Sequence, residues 1–223
     1  LLGVKHIITD SLQSKADIHT ILGFPNDRID VIPLAPAPVF GKAIDTNKLE
    51  AVRRKYSLPD TFVLYVGDVN WNKNVAGLVA ALGYLSRKDV KLILVGNAHE
   101  DVHMTGQALG FVPEQDLAGI YRLAAVYVQP SFYEGFGLPV LEAMASGCPV
   151  AASAAGSLRE IIGPSIPLNP SDPKSIACGI SKVLTMSRKE KDNLIARQLM
   201  WVKQFSWKRS AEMTAKTYEQ AVA

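Results

Sequence analysis

Short, uniformly apolar runs alternate with helical patterns along most of this chain, and that alternation leaves few folds open to it. FVLYVG (62–67), KLILVG (91–96), VYVQPS (126–131) and PVAAS (149–153) are each apolar on both of their alternating faces. A strand covered on one side only would alternate apolar with polar residues, so these runs predict a parallel sheet buried on both faces. The intervening patterns predict helices over about residues 47–56, 74–86, 114–124 and 138–146, giving a doubly wound α/β fold. HIITDS (6–11), RIDVIPL (28–34), ALGFV (108–112) and IPLN (166–169) read as further strands. A helix following the first of them is ended by Gly23. Ala35-Pro36-Ala37-Pro38 can continue neither helix nor central strand and reads as a linker. Beyond Pro173 the chain reads as helical, with Trp201, Phe205 and Trp207 near the last breaks.

Composition excludes several classes of function. With 48% hydrophobic and 20% charged residues among 223, the chain is ordinary globular material. A net charge of +3 requires neither nucleic acid nor an anionic surface as partner. The densest charged run, SRKEKDNLIAR from Ser187, alternates in sign and reads as a solvated helix face. Two cysteines, Cys148 and Cys178, indicate no disulfide scaffold, so a reducing cytoplasmic compartment is the expectation. No apolar run reaches the ~20 residues that span a bilayer. The chain opens on Leu1-Leu2-Gly3 without a methionine and is expected to begin partway into a longer protein.

Ligands of open parallel sheets bind at the carboxyl ends of strands, and glycines and polar residues collect there in this sequence. Gly67-Asp68-Val69-Asn70-Trp71-Asn72-Lys73 follows one strand, Gly96-Asn97 another, Ser131 to Gly137 a third and Ser153 to Gly156 a fourth. Gly135 and Gly137 allow close backbone approach or positive φ, and Pro139 suits a first helical turn. The helix from Leu138 would aim free N–H groups and its positive end at the loop, an anion site suited to a diphosphate, with Lys73 adding a full charge. Glu142, in a mostly apolar setting, either serves the helix dipole or accepts both hydroxyls of a ribose. Glu134 is placed to bind sugar hydroxyls or to face developing positive charge at a sugar carbon.

Together these residues resemble the retaining GT-B glycosyltransferases marked by two glutamates separated by seven residues. The family pattern is matched by Ser131, Glu134, Gly135, Phe136, Gly137, Leu138, Pro139, Glu142, Ala143, Met144, Ala145, Gly147, Pro149 and Val150. YVGDVNWNKN (65–74), GFVPEQDLAGIYRLAAVYVQPS (110–131), Ser157-Leu158-Arg159-Glu160, IPLNPSDP and the terminal FSW (205–207) also look like family segments. The resemblance implies a Rossmann-like donor domain, the C-terminal half of a GT-B architecture with a helical tail. It places residues 37–205 in that domain and makes residues 1–36 the end of an acceptor domain plus the linker. Residues 206–223 would form a helix crossing back. By the same resemblance Glu134 and Lys73 would be catalytic. Donor binding would fall to Glu142, Gly67, Asp68, Phe136, Gly137, Leu138, Gly96, Phe111 and Val112. The reaction would transfer a sugar, with retention, from a UDP- or GDP-sugar, GDP-mannose being favoured by family frequency. No metal or other cofactor is required, and the acceptor would be a saccharide or lipid-linked saccharide. The missing acceptor half is also where any contact with the inner face of the membrane would fall.

Three departures from the family stand out. Many members carry an arginine shortly before the lysine; here positions 68 and 72 are Asp and Asn, which leaves Arg159 or a residue outside the chain to compensate. The segment from Gly96 to Gly110 is short for a strand, helix and strand. Almost all of the acceptor domain is missing, so the chain alone is expected to bind nucleotide without efficient transfer. A nucleotide-sugar epimerase and a non-catalytic nucleotide-binding module are the alternatives. His99 and His103 have helical metal-site spacing but read as a polar loop. Trp71 could stack on a ligand or pack on the surface. Cys148 reads as a small buried residue.

Overall fold

The computed structural model describes residues 3–97 and 106–222. Two short strands come first, β1 (Ile7–Thr9) and β2 (Ile29–Val31), paired in parallel and joined by helix α1 (Leu12–Leu22). The side chain of Ser11 caps α1 by accepting from the Ser14 N–H, and Gly23 closes the helix in the left-handed conformation at φ 64°. Pro36 and Pro38 carry the chain out of this small sheet, and α2 (Thr46–Lys55) follows under an Asp45 cap.

The main sheet has six parallel strands: β3 (Phe62–Val66), β4 (Lys91–Val95), β5 (Gln107–Ala108), β6 (Val126–Gln129), β7 (Val150–Ser153) and β8 (Ile166–Leu168). Their order across the sheet is β5-β4-β3-β6-β7-β8. Both faces are covered, as the apolar runs require. Phe62 and Leu64 of β3, Ile93 of β4 and Tyr127 of β6 face one core, completed by α4 (Glu114–Leu123) and α5 (Leu138–Ala145). Val63, Tyr65, Leu92 and Leu94 face the other, under α3 (Val75–Gly83) and α7 (Pro173–Thr185). The period of two sends neighbouring apolar residues to opposite covers, so both faces of the strands are predominantly apolar, with the polar positions Gln129 and Ser153 at the carboxyl ends of β6 and β7.

A four-residue helix α6 (Leu158–Ile161) follows β7. The charged run from Ser187 forms α8 (Arg188–Val202), opened by a reciprocal Ser187–Glu190 capping box. Its buried stripe is Leu194, Gln198 and Val202, and the charges face outward. After a break at residues 203–206, α9 (Trp207–Val222) returns to the small sheet, where the Ser210 hydroxyl donates to the Pro33 carbonyl at 2.6 Å.

One strand expectation needs correction. The expected strand at 108–112 is only Gln107–Ala108, because Gly110 adopts φ 66° and turns the chain off the sheet. His99 and His103, and most of the short segment between Gly96 and Gly110, lie outside the described residues.

Candidate active site

From β3 the strand order runs outward through β4 and β5; from β6 it runs the opposite way through β7 and β8. The order therefore reverses between β3 and β6, where the loops leaving the two strands diverge and open a crevice. Those loops carry Lys73 and Glu134.

The loop after β3 ends in a 3-10 turn, Trp71–Lys73, capped by Asn70, and Asn74 takes a left-handed conformation at φ 55°. Asn74 is buried and donates its amide to the carbonyls of Pro130 (3.1 Å) and Pro170 (2.7 Å), pinning the turn to the loop after β6. Two more bonds tie the loops: Phe132 N–H to the Asn72 carbonyl at 2.8 Å and the Asn72 amide to the Tyr133 carbonyl at 3.3 Å. Lys73 consequently points at Glu134. Its Nζ donates to Glu134 Oε2 at 2.5 Å.

Glu134 is only 6% exposed. A carboxylate so placed needs partners, and it has three donors. Gln129 Nε2 and Ser131 Oγ each reach Oε1 at 2.8 Å, and Lys73 serves Oε2. Gln129 is itself held by the Tyr127 hydroxyl, so a polar chain runs from the sheet core to the loop. Gln129 was not singled out in the sequence, although a glutamine inside an otherwise apolar strand is the signal of a polar group with a buried duty.

Gly137 caps α5 with φ 97°, and a Cβ there would lie 2.5 Å from Leu158 Cδ2. Among the described residues, no protein acceptor takes the N–H groups of Phe136, Gly137 or Leu138. They form the open start of α5, beside Glu134. The Phe136 side chain turns the other way, edge-on to Phe205 at 6.2 Å, so the terminal FSW segment supports this loop from beneath. Of the two uses expected for Gly135, positive φ is not taken, and a Cβ there would meet no protein atom within 4 Å, which leaves its ligand-facing side open.

Glu142 sits one turn into α5 and accepts from the Tyr121 hydroxyl at 3.0 Å. Burial raises its pKa to about 7; the Tyr121 bond works against that rise and Glu114 adds slightly to it. Tyr121, fully buried beside this carboxylate, is held well above the usual tyrosine range and stays a donor.

Gly67 and Gly96, at the ends of β3 and β4, meet each other. Gly96 has φ 118°, and a Cβ would lie 2.6 Å from the Gly67 carbonyl oxygen. Asp68 is exposed, and its Oδ1 accepts from Asn97 N–H at 3.4 Å. Phe111 is 88% exposed and Trp71 81%, whereas Val112 is buried. Arg159, in α6, is exposed, and its Nε donates to the Ala154 carbonyl at 2.9 Å in the loop just before that helix. Among the described residues no group of three His, Cys, Asp or Glu could hold a metal ion. Cys148 is buried, and burial pushes its thiol up to about 12, far from nucleophilic use. Among the described residues no helix is long and apolar enough to cross a membrane.

A doubly wound sheet with an ion pair and an open helix start at its switch point defines an α/β domain with a crevice suited to an anionic ligand. The model of the family Glycosyl transferases group 1 matches residues 50–198, and the chain belongs to that family. It is 33% identical to the O-antigen chain mannosyltransferase B of Escherichia coli, over 97% of this chain and 61% of that protein. It is 30% identical to the MMP alpha-(1->4)-mannosyltransferase of Mycolicibacterium hassiacum, over 99% of this chain and 55% of the relative. The chain thus spans about 61% or less of these relatives' length. Among solved structures, the Anabaena protein HepE in complex with UDP and glucose superposes with a TM-score of 0.86 at 19% identity, covering 97% of this chain and 64% of that one. A glycosyltransferase from Rickettsia africae superposes equally well at 0.86 and 18% identity, over 98% and 64%. Both share the GT-B fold expected from the sequence.

Proposed function

We propose that this chain carries the donor site of a sugar transferase that moves a hexose, with retention, from a nucleoside diphosphate sugar to a saccharide or lipid-linked saccharide hydroxyl. The observation that carries this reading is the meeting of Lys73, Glu134 and the open N–H groups of Phe136 to Leu138 at one switch point. The N–H groups and helix dipole hold the diphosphate, with Lys73 beside them as it leaves. Glu142, with its free oxygen, accepts the ribose hydroxyls, while Phe111 and Val112 border the base. Glu134 serves the sugar. No covalent intermediate is required: positioning and stabilisation of the leaving charge supply the rate.

Residues 37–205 form the donor unit on this reading, and residues 1–36 and 206–223 belong to the acceptor side. The names of the mannosyltransferase relatives favour mannose as the sugar, and GDP-mannose is the proposed donor. The complex of HepE with UDP makes UDP the competing nucleotide. The 223-residue chain is expected to bind nucleotide and to transfer little sugar by itself.

Calorimetric titration of the chain with GDP, UDP and ADP tests the donor class. A preference of tenfold or more for GDP, about 1.4 kcal/mol, supports a GDP-linked donor; an equal preference for UDP overturns it.

A further inference from the structure

The loop that carries Glu134 is gripped from a second direction. Helix α1 begins at Leu12, and its first N–H groups have no partner within the helix. Of these, the Ser11 side chain takes the Ser14 N–H, and its carbonyl takes the Lys15 N–H. The two groups left over, Leu12 N–H and Gln13 N–H, are taken by the carboxylate of Glu160, at 2.9 Å to Oε2 and 3.0 Å to Oε1. Glu160 comes from α6, 147 and 148 residues away in the chain. A carboxylate that engages both orphan donors also complements the positive end of the helix dipole.

The neighbours of Glu160 hold the donor loop itself. Ser157 Oγ, at the start of α6, donates to the Glu134 carbonyl at 2.8 Å. Gly156, at φ 54°, lies so close that a Cβ would be 3.2 Å from both the N and the O of Glu134. From the α1 side, the hydroxyls of Ser11 (2.7 Å) and Ser14 (3.4 Å) reach the Gly135 carbonyl. Tyr133 donates to Asp17 Oδ2 at 2.5 Å. The backbone from Tyr133 to Gly135 is therefore clasped between α6 and α1, and Glu160 fastens those two to each other.

We propose that Glu160 is a positioning residue that couples the seating of α1 to the geometry of the donor loop. It touches neither nucleotide nor sugar. A shift of α1 either breaks the Glu160 contacts or drags the Gly135 carbonyl, which directly precedes the N–H groups assigned to the diphosphate. Coupling between two sites is reciprocal, so a nucleotide that fixes the loop must also hold α1 more firmly. This inference rests on the donor-site reading above.

The test is NMR-detected hydrogen exchange at Leu12 and Gln13 of the 223-residue chain, without and with saturating UDP or GDP, whichever calorimetry shows to bind. In the wild-type chain, nucleotide should slow exchange at both amides at least fivefold. In Glu160→Ala that nucleotide-dependent slowing should vanish and nucleotide affinity should fall about three- to tenfold. Glu160→Gln, which keeps one carbonyl acceptor in place, should recover part of both effects and guards against a folding defect in the alanine variant. Nucleotide binding with no change in exchange at Leu12 and Gln13 overturns the coupling while leaving the donor site standing. Absence of any nucleotide binding in the titration overturns the donor-site reading and this inference with it.

Discussion

The ammonium of Lys73 and the carboxylate of Glu134 lie 2.5 Å apart across two loops separated by 61 residues of sequence. Each is the other's principal counter-charge, and both are largely removed from water. Removing one partner of such a pair leaves an uncompensated buried charge. Lys73→Ala is therefore expected to lower stability by about 3 kcal/mol and to weaken nucleoside diphosphate binding. Glu134→Ala in the family enzyme that carries this chain is expected to lower sugar transfer by about 10²–10³-fold while changing nucleotide affinity only a few-fold. Denaturant melts and a comparison of turnover with Kd check both. Unchanged transfer in Glu134→Ala would remove that residue from the chemistry.

On the proposed reading, Glu142 should make nucleotide binding pH-dependent. Its carboxyl titrates at about 7 because burial disfavours the charge, and only the ionised form accepts two ribose hydroxyls. Affinity should rise roughly tenfold between pH 6 and pH 8, and Glu142→Gln should flatten that profile. The stability effect has the opposite sign. A carboxyl whose folded pKa lies above its unfolded value of 4.5 stabilises the fold at low pH and loses that contribution as pH rises through 7. Glu142→Gln should accordingly raise Tm more at pH 8 than at pH 5, read by calorimetric melts at the two pH values.

The loop glycines are not equivalent. Gly96→Ala places a Cβ 2.6 Å from a backbone oxygen at φ 118°, where neither the strain nor the clash can relax easily. It should cost about 2–4 kcal/mol and impair nucleotide binding by separating the ends of β3 and β4. Gly135→Ala meets open space at an ordinary φ and should leave Tm within about 0.5 kcal/mol equivalent of wild type. Thermal melts of the two variants decide the matter.

The thiols separate in the same way. Burial holds Cys148 up to about 12, whereas Cys178 is exposed. A thiol reagent should label one cysteine promptly in the native chain and the second only after denaturant is added. Prompt labelling of both would show that the core under α5 opens freely.

Much of this is legible in the sequence. The doubly covered sheet followed from strands such as FVLYV, whose neighbours must face opposite cores, and Gly137 and Pro139 announced the start of α5. Other parts depend on distance in space. Nothing local to Lys73 shows that Asn74 will pin its turn to Pro130 and Pro170, and so aim it at Glu134. The service of Glu160 to α1 joins segments nearly 150 residues apart. No spacing within either segment encodes it. Gly135 shows the converse limit, since a glycine in a glycine-rich loop need not take positive φ. The strand expected at 108–112 failed because one left-handed glycine, Gly110, outweighed a continuous apolar run.

The claim that the switch point between β3 and β6 is a nucleotide site is tested most directly by titrating wild-type, Lys73→Ala and Glu142→Ala chains with GDP and UDP. The account predicts one site per wild-type chain and a loss of about 1.5–3 kcal/mol, or roughly 10–150-fold, when the charged partner of either the diphosphate or the ribose is removed. Equal affinity in all three chains would contradict it.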